Sequence, residues 1–179
     1  MASRAKATAV ADRVAGVGSF WGMVTRAMLH DWRGELDEAE RLHRDAWHRY
    51  DNPSELLAFY LLHGRKGPDV DELMHKVFPA GMTRITTPPG APPLDGVVIV
   101  VAGKTGYDEG LRPDDVITAV DGFRVRNTQQ YRAVRGASSA ERMRLTVWRQ
   151  GQPLEVSARL RYRWVVSSTR NYEPGKSTK

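Results

Sequence analysis

The chain has 179 residues, 41% of them hydrophobic, and a formal net charge of +6. That length allows one large or two small domains, and the composition is that of a chain with packed cores rather than a disordered one. Cysteine is absent, which excludes disulfides, a thiol nucleophile and a cysteine-based zinc site, and no run approaches the roughly 20 apolar residues that span a bilayer.

The basic excess sits at the two ends. Residues 1–18 carry three Lys/Arg against one Asp and residues 161–179 carry five against one Glu. Between them, 19–93 has nine against eleven and 94–160 has ten against eight. A nucleic-acid-binding domain concentrates its charge on one folded face, so nucleic acid is not expected as a partner. Asp12 and Arg13 interrupt the N-terminal apolar stretch that a secretory signal requires, and the expectation is a cytoplasmic protein. Residues 1–18 form a basic, Ala-rich segment in which Val10, Val14 and Val17 are weakly amphipathic and Gly16 and Gly18 weaken a helix end.

From Phe20 to Phe78 the spacing predicts four helices. Phe20, Trp21, Val24, Ala27, Met28 and Leu29 keep one period, and Gly34 ends it. Leu36, Ala39, Leu42, Ala46, Trp47 and Tyr50 form a second stripe, closed by Pro53, with Asn52 or Ser54 able to cap the next helix. Leu56–Leu62 is a strongly apolar third helix. Asp69 with Glu72 three residues on suggests a capping box for the fourth, which carries Val70, Leu73, Met74, Val77 and Phe78. Gly34 and Ala39 recur 34 residues later as Pro68 and Leu73, the period of tetratricopeptide repeats. Arg-Gly-Glu-Leu-Asp-Glu-Ala-Glu at 33–40 resembles the turn and second helix of such a repeat, with Ala27, Ala39 and Ala46 at the small positions. Residues 19–78 are therefore expected to be TPR-like antiparallel helical hairpins, although two copies are fewer than a stable array needs; a generic four-helix bundle predicts a similar map.

Thr86–Pro93 holds four of the ten prolines and reads as an extended loop. Val97–Ala102 is a strand too apolar for a one-sided sheet position. Gly110-Leu-Arg-Pro-Asp-Asp-Val-Ile-Thr-Ala-Val-Asp-Gly122 combines a Pro113 turn, a short buried strand and an Asp-Gly hairpin turn before Phe123–Val125. Asn127 or Thr128 caps a helix that runs to about Val134, with Tyr131 and Val134 as its inward residues, and Met143–Arg149 and Leu154–Leu160 alternate around Gln150-Gly151. This block resembles the PDZ domain of the bacterial type, with Asp114 where that family usually has glycine. Strand, loop, strand-turn-strand, helix and hairpin match its permuted order over about residues 95–160, or 78–163 with flanking segments. Arg161–Val166 is expected to extend the last strand and residues 167–179 to be a disordered polar tail. The fold expected is α+β: the helical hairpins, then a PDZ-like partly open β-barrel or sandwich with one main helix over residues 79–166.

The resemblance implies peptide binding by strand addition beside a helix, with glycine-loop amides holding a terminal carboxylate. The nearest loop is Phe78-Pro79-Ala80-Gly81-Met82, followed by Thr83-Arg84-Ile85 as an edge strand; the alternative is that Gly81 merely stops the fourth helix. Tyr131, Val134 and Arg135 are candidates on the helix, with Gln129 and Arg132 nearby. All five histidines lie in the helical half, no Gly-x-Ser-x-Gly is present, and Gly103-Lys104-Thr105 lacks the glycine spacing of a phosphate loop. No enzyme activity, cofactor or metal is expected. The expectation is a protein-interaction adaptor or scaffold with a protein or peptide partner, whether through a free C-terminus or an internal segment. A substrate-selecting subunit of a separately encoded protease, or a structural subunit of a larger complex, is the alternative.

Overall fold

A computed structural model describes residues 19–85, 90–159 and 166–175. Four helices come first: α1 (Phe20–Trp32), α2 (Leu36–Tyr50), α3 (Ser54–Leu62) and α4 (Pro68–Val77). The second part is β1 (Val97–Ala102), the short α5 (Lys104–Asp108), β2 (Val116–Val120), β3 (Phe123–Arg124), α6 (Thr128–Ala137), β4 (Met143–Arg149), β5 (Gln152–Ala158) and β6 (Val166–Asn171). The order is α+β as the sequence implies, and the sheet is open and antiparallel, β5-β4-β2-β1-β6, with β3 paired to β2. Among the described residues no helix is long and apolar enough to cross a membrane.

The caps differ in detail from the sequence reading. Ser19 caps α1 by accepting a bond from the Gly22 amide at 3.2 Å. Helix α4 starts behind Gly67 with Pro68 in its first turn and no side-chain cap. Pro68 supplies a preset φ and needs no amide partner, so Asp69 sits inside the helix rather than at its cap. At α3 the preceding residue is Pro53, again without a cap bond, and Asn52 Oδ1 instead accepts from the Ser54 amide at 3.4 Å and the Ser54 hydroxyl at 2.5 Å. Asn127 does cap α6, accepting from the Gln130 amide at 2.9 Å.

Successive helices pack on one another, and α3 is the centre of the helical part. Ser54–Tyr60 is buried without interruption, so α3 has no solvent face and must be enclosed by neighbours. A polar knot closes α2, α3 and α4 together: the Arg44 guanidinium donates to Glu40 at 3.0 Å, to the Tyr60 hydroxyl at 2.5 Å and to Asp69 at 3.0 Å, and Tyr60 donates to Glu40 at 2.8 Å. Burial and the Glu40 carboxylate push the Tyr60 phenol up to about 12. Because the folded-state pKa is raised, the unfolded chain releases this proton first, near the ordinary value of about 10, and stability is lost as pH rises from there towards 12. Tyr60→Phe is expected to flatten the fall in urea-unfolding free energy across that window while leaving the profile from pH 6 to 9 parallel to wild type.

The Gly110–Gly122 block is held by one buried ion pair. Asp115 is 0% exposed. Its carboxylate accepts from Arg149 Nε at 2.6 Å, from an Arg149 terminal nitrogen at 2.7 Å and from the Arg112 amide at 2.9 Å. Arg149 also donates to the Gly110 carbonyl at 2.7 Å, and its pairing with Asp115 raises the guanidinium further above its ordinary range. The turn before β2 is thereby tied to the end of β4. Asp114 takes a left-handed φ of 70°, a conformation that favours glycine. Breaking a buried pair by removing one partner leaves an uncompensated charge. Arg149→Met is accordingly expected to cost about 3–5 kcal/mol in urea unfolding, and a loss below about 1 kcal/mol contradicts this role.

Candidate peptide-binding groove

Strand β1 is central in the sheet, but it is not buried throughout, since Val100 and Val101 are 38% and 50% exposed. It pairs with β2 through Val97↔Ile117 and with β6 through Val97↔Asn171, Val98↔Arg170 and Ile99↔Thr169. Val97, Val98 and Ile99 are 0–1% exposed. The polar stretch read from sequence as a tail from Ser167 therefore forms an edge strand over Val166–Asn171, recruited by the unpaired side of β1. Gly96 fixes its end, accepting from the Tyr172 amide at 2.9 Å and donating to the Arg126 carbonyl at 3.1 Å. A Cβ at Gly96 would stand 2.8 Å from the Ile117 carbonyl oxygen, and its φ is 148°, so this junction requires glycine.

On its outer side β6 has no partner strand among the described residues. The Tyr172 amide points inward to Gly96. Alternation along an antiparallel pair then turns the backbone groups of Asn171 and Thr169 outward. Helix α6 flanks this edge, its Thr128 amide donating to Asn171 Oδ1 at 2.8 Å.

The residues singled out from sequence fall into two groups. Helix α4 ends at Val77, and Phe78–Gly81 makes a tight turn in which the Gly81 amide donates to the Phe78 carbonyl at 2.8 Å, with Gly81 at φ 75°. Ala80, Gly81, Thr83 and Arg84 are exposed, Met82 and Ile85 partly buried. Thr83–Ile85 does lie extended, but against β3: Ile85 donates to the Gly122 carbonyl and Arg124 donates to the Thr83 carbonyl, both at 2.8 Å, around an Arg84↔Phe123 bridge. Its hydrogen bonds among the described residues run to the β2–β3 hairpin, not to α6. On α6, Tyr131 is 1% and Val134 6% exposed, both within the shared core. The Arg135 guanidinium lies 5.4 Å from the Tyr131 ring centroid. Burial pushes the Tyr131 phenol up, and the Arg135 charge opposes it. Sequence reasoning missed β6. No local pattern marks it, because its partner strand β1 lies far earlier in the chain.

A cleft of about 340 Å³ lies elsewhere, between α2 and α4 over Trp47. Both of its cations pair within it: Arg44 with Asp69 at 3.0 Å and Lys76 with Glu72 at 3.4 Å, the Lys76 ammonium also standing 5.4 Å from the Trp47 ring centroid.

The open edge beside a helix is the arrangement used for strand addition. A family model for the PDZ domain matches residues 97–149. The segment from β1 to β4 is a PDZ-domain match. The helices of the first half, β5, β6 and Thr83–Ile85 lie outside it. No curated protein and no solved structure matches the chain.

Proposed function

We propose that the chain is a non-enzymatic protein-interaction adaptor whose PDZ domain takes an extended peptide as an added strand along the outer edge of β6. The observation that supports this reading is the outward backbone of Thr169 and Asn171 beside α6, on a strand whose other side pairs with β1. Main-chain bonds to those groups supply affinity, and side chains bordering α6 supply selectivity. The helical half, TPR-like in its 34-residue offset, serves a second partner. A substrate-selecting subunit of a separately encoded enzyme would use the same groove.

A second reading keeps the binding edge on Met82–Ile85 with Ala80 and Gly81 as the turn. It is favoured by the Arg84 amide and carbonyl, which point away from β3 because the Thr83 carbonyl and Ile85 amide point towards it.

Proline substitution separates the two, since proline removes one outward donor and spares the inward ladder. Against a peptide captured from a random display library by the full chain, Thr169→Pro is expected to weaken binding about tenfold or more, the worth of one lost hydrogen bond. Thr169→Ala and Arg84→Pro are expected to bind like wild type. Loss with Arg84→Pro and none with Thr169→Pro moves the site to the second edge.

A further inference from the structure

Helix α6 borders the β6 edge, yet none of its residues from Thr128 to Ala137 is fully exposed. What covers it is the helical half, at three points along its length. In the first turn, Gln130 donates to the Val77 carbonyl at the end of α4 at 2.9 Å, while its own Oε1 accepts from the Arg126 amide at 2.9 Å. In the middle, the Arg132 guanidinium stands 5.0 Å from the Trp21 ring centroid of α1. Burial lowers Arg132 from its ordinary range and the Glu55 charge of α3 opposes that shift. At the far end, Gly136 meets α3 so closely that a Cβ there would lie 2.7 Å from the Ala58 Cβ. A helix-borne methyl cannot swing aside, so Gly136 is glycine because α3 is there. A single buried cluster runs from Leu56, Leu57 and Phe59 on α3 through Val77 and Phe78 to Tyr131 and Val134.

We propose that α6 is a lever shared by the two halves: α1, α3 and α4 set its position against β6, so a partner that engages the helical half alters strand addition at β6, and a captured peptide alters the helical half in return. The reciprocity follows from linkage between two sites that bias one element. The peptide arm of the proposal rests on the strand-addition reading; the mechanical arm does not. Gly136, Arg132 and Gln130 are positioning residues in this scheme, acting on the groove through the placement of α6.

The test is amide hydrogen exchange on the full chain, read segment by segment. Gly136→Ala drives a wedge between α3 and α6, and Ala58→Gly in the same chain removes the opposing methyl. Exchange at α6 and at the inward Arg170 and Tyr172 amides of the β6 segment is expected to accelerate about tenfold in Gly136→Ala relative to β4 and β5, and to return to wild type in the double variant. Trp21→Ala, at a residue 44% exposed, is expected to accelerate the same two segments to a smaller degree without loss of fold. Acceleration spread equally over β4 and β5, confinement to α3, or no change in either variant overturns the lever. The library-selected peptide is then titrated against the same chains, with binding about tenfold weaker in Gly136→Ala and restored in the double variant. Exchange that behaves as expected with no peptide captured by any variant supports the lever and removes only the strand-addition reading. A peptide that binds every variant equally overturns the coupling.

Discussion

Everything in this molecule depends on where α6 can sit. The helix buries Tyr131, Ala133 and Val134 in the cluster that joins the helices to the sheet while accepting α3 at the Gly136–Ala58 contact. Close packing leaves little freedom for a helix held on two faces, because a shift of one methyl is felt by both neighbours. Helix α3 is as constrained, buried from Ser54 to Tyr60 between the rest of the helical part and α6. The hydrophobic cluster that results is continuous across both halves. The connection is cohesive through packing and specific through a few polar contacts, chiefly Gln130 to the Val77 carbonyl.

The Gly110–Gly122 block has a different task. Its conformation is enforced by Asp115, a fully buried carboxylate that would be costly without Arg149 and the Arg112 amide. These residues frame β2 and join it to β4. They give the sheet its shape and take no part in the edge proposed for binding on β6, at the far side of β1.

The four helices, β1 to β4 and the β4–β5 hairpin are legible in the sequence because local periodicity and turn chemistry agree with the tertiary structure there. Asn127 at the α6 cap and Asp121-Gly122 at the hairpin are examples. The places where sequence reasoning falls short share a physical cause: the deciding partner is distant in the chain. Ser168-Thr169-Arg170-Asn171 has no hydrophobic alternation and becomes a strand only because β1 offers an unpaired side. Helical spacing marks Tyr131 and Val134 as the inward residues of α6, and each is enclosed by the core, but the spacing does not say which neighbours enclose them. The cover over α6 comes from residues more than 50 positions earlier, as the Gln130 to Val77 bond illustrates, and no helical period records such a neighbour. Thr83–Ile85 is extended, as its residues suggest, but its pairing with the Gly122–Arg124 arm follows from the topology of the sheet.

The central claim is that the outer edge of β6 receives a peptide strand. A crystal structure of the full chain with a library-captured peptide tests it most directly. The expected result is an antiparallel strand hydrogen-bonded to the outward amides and carbonyls of Thr169 and Asn171, with its side chains against α6. A peptide seated on Arg84, or on the helical half with β6 left bare, would contradict it.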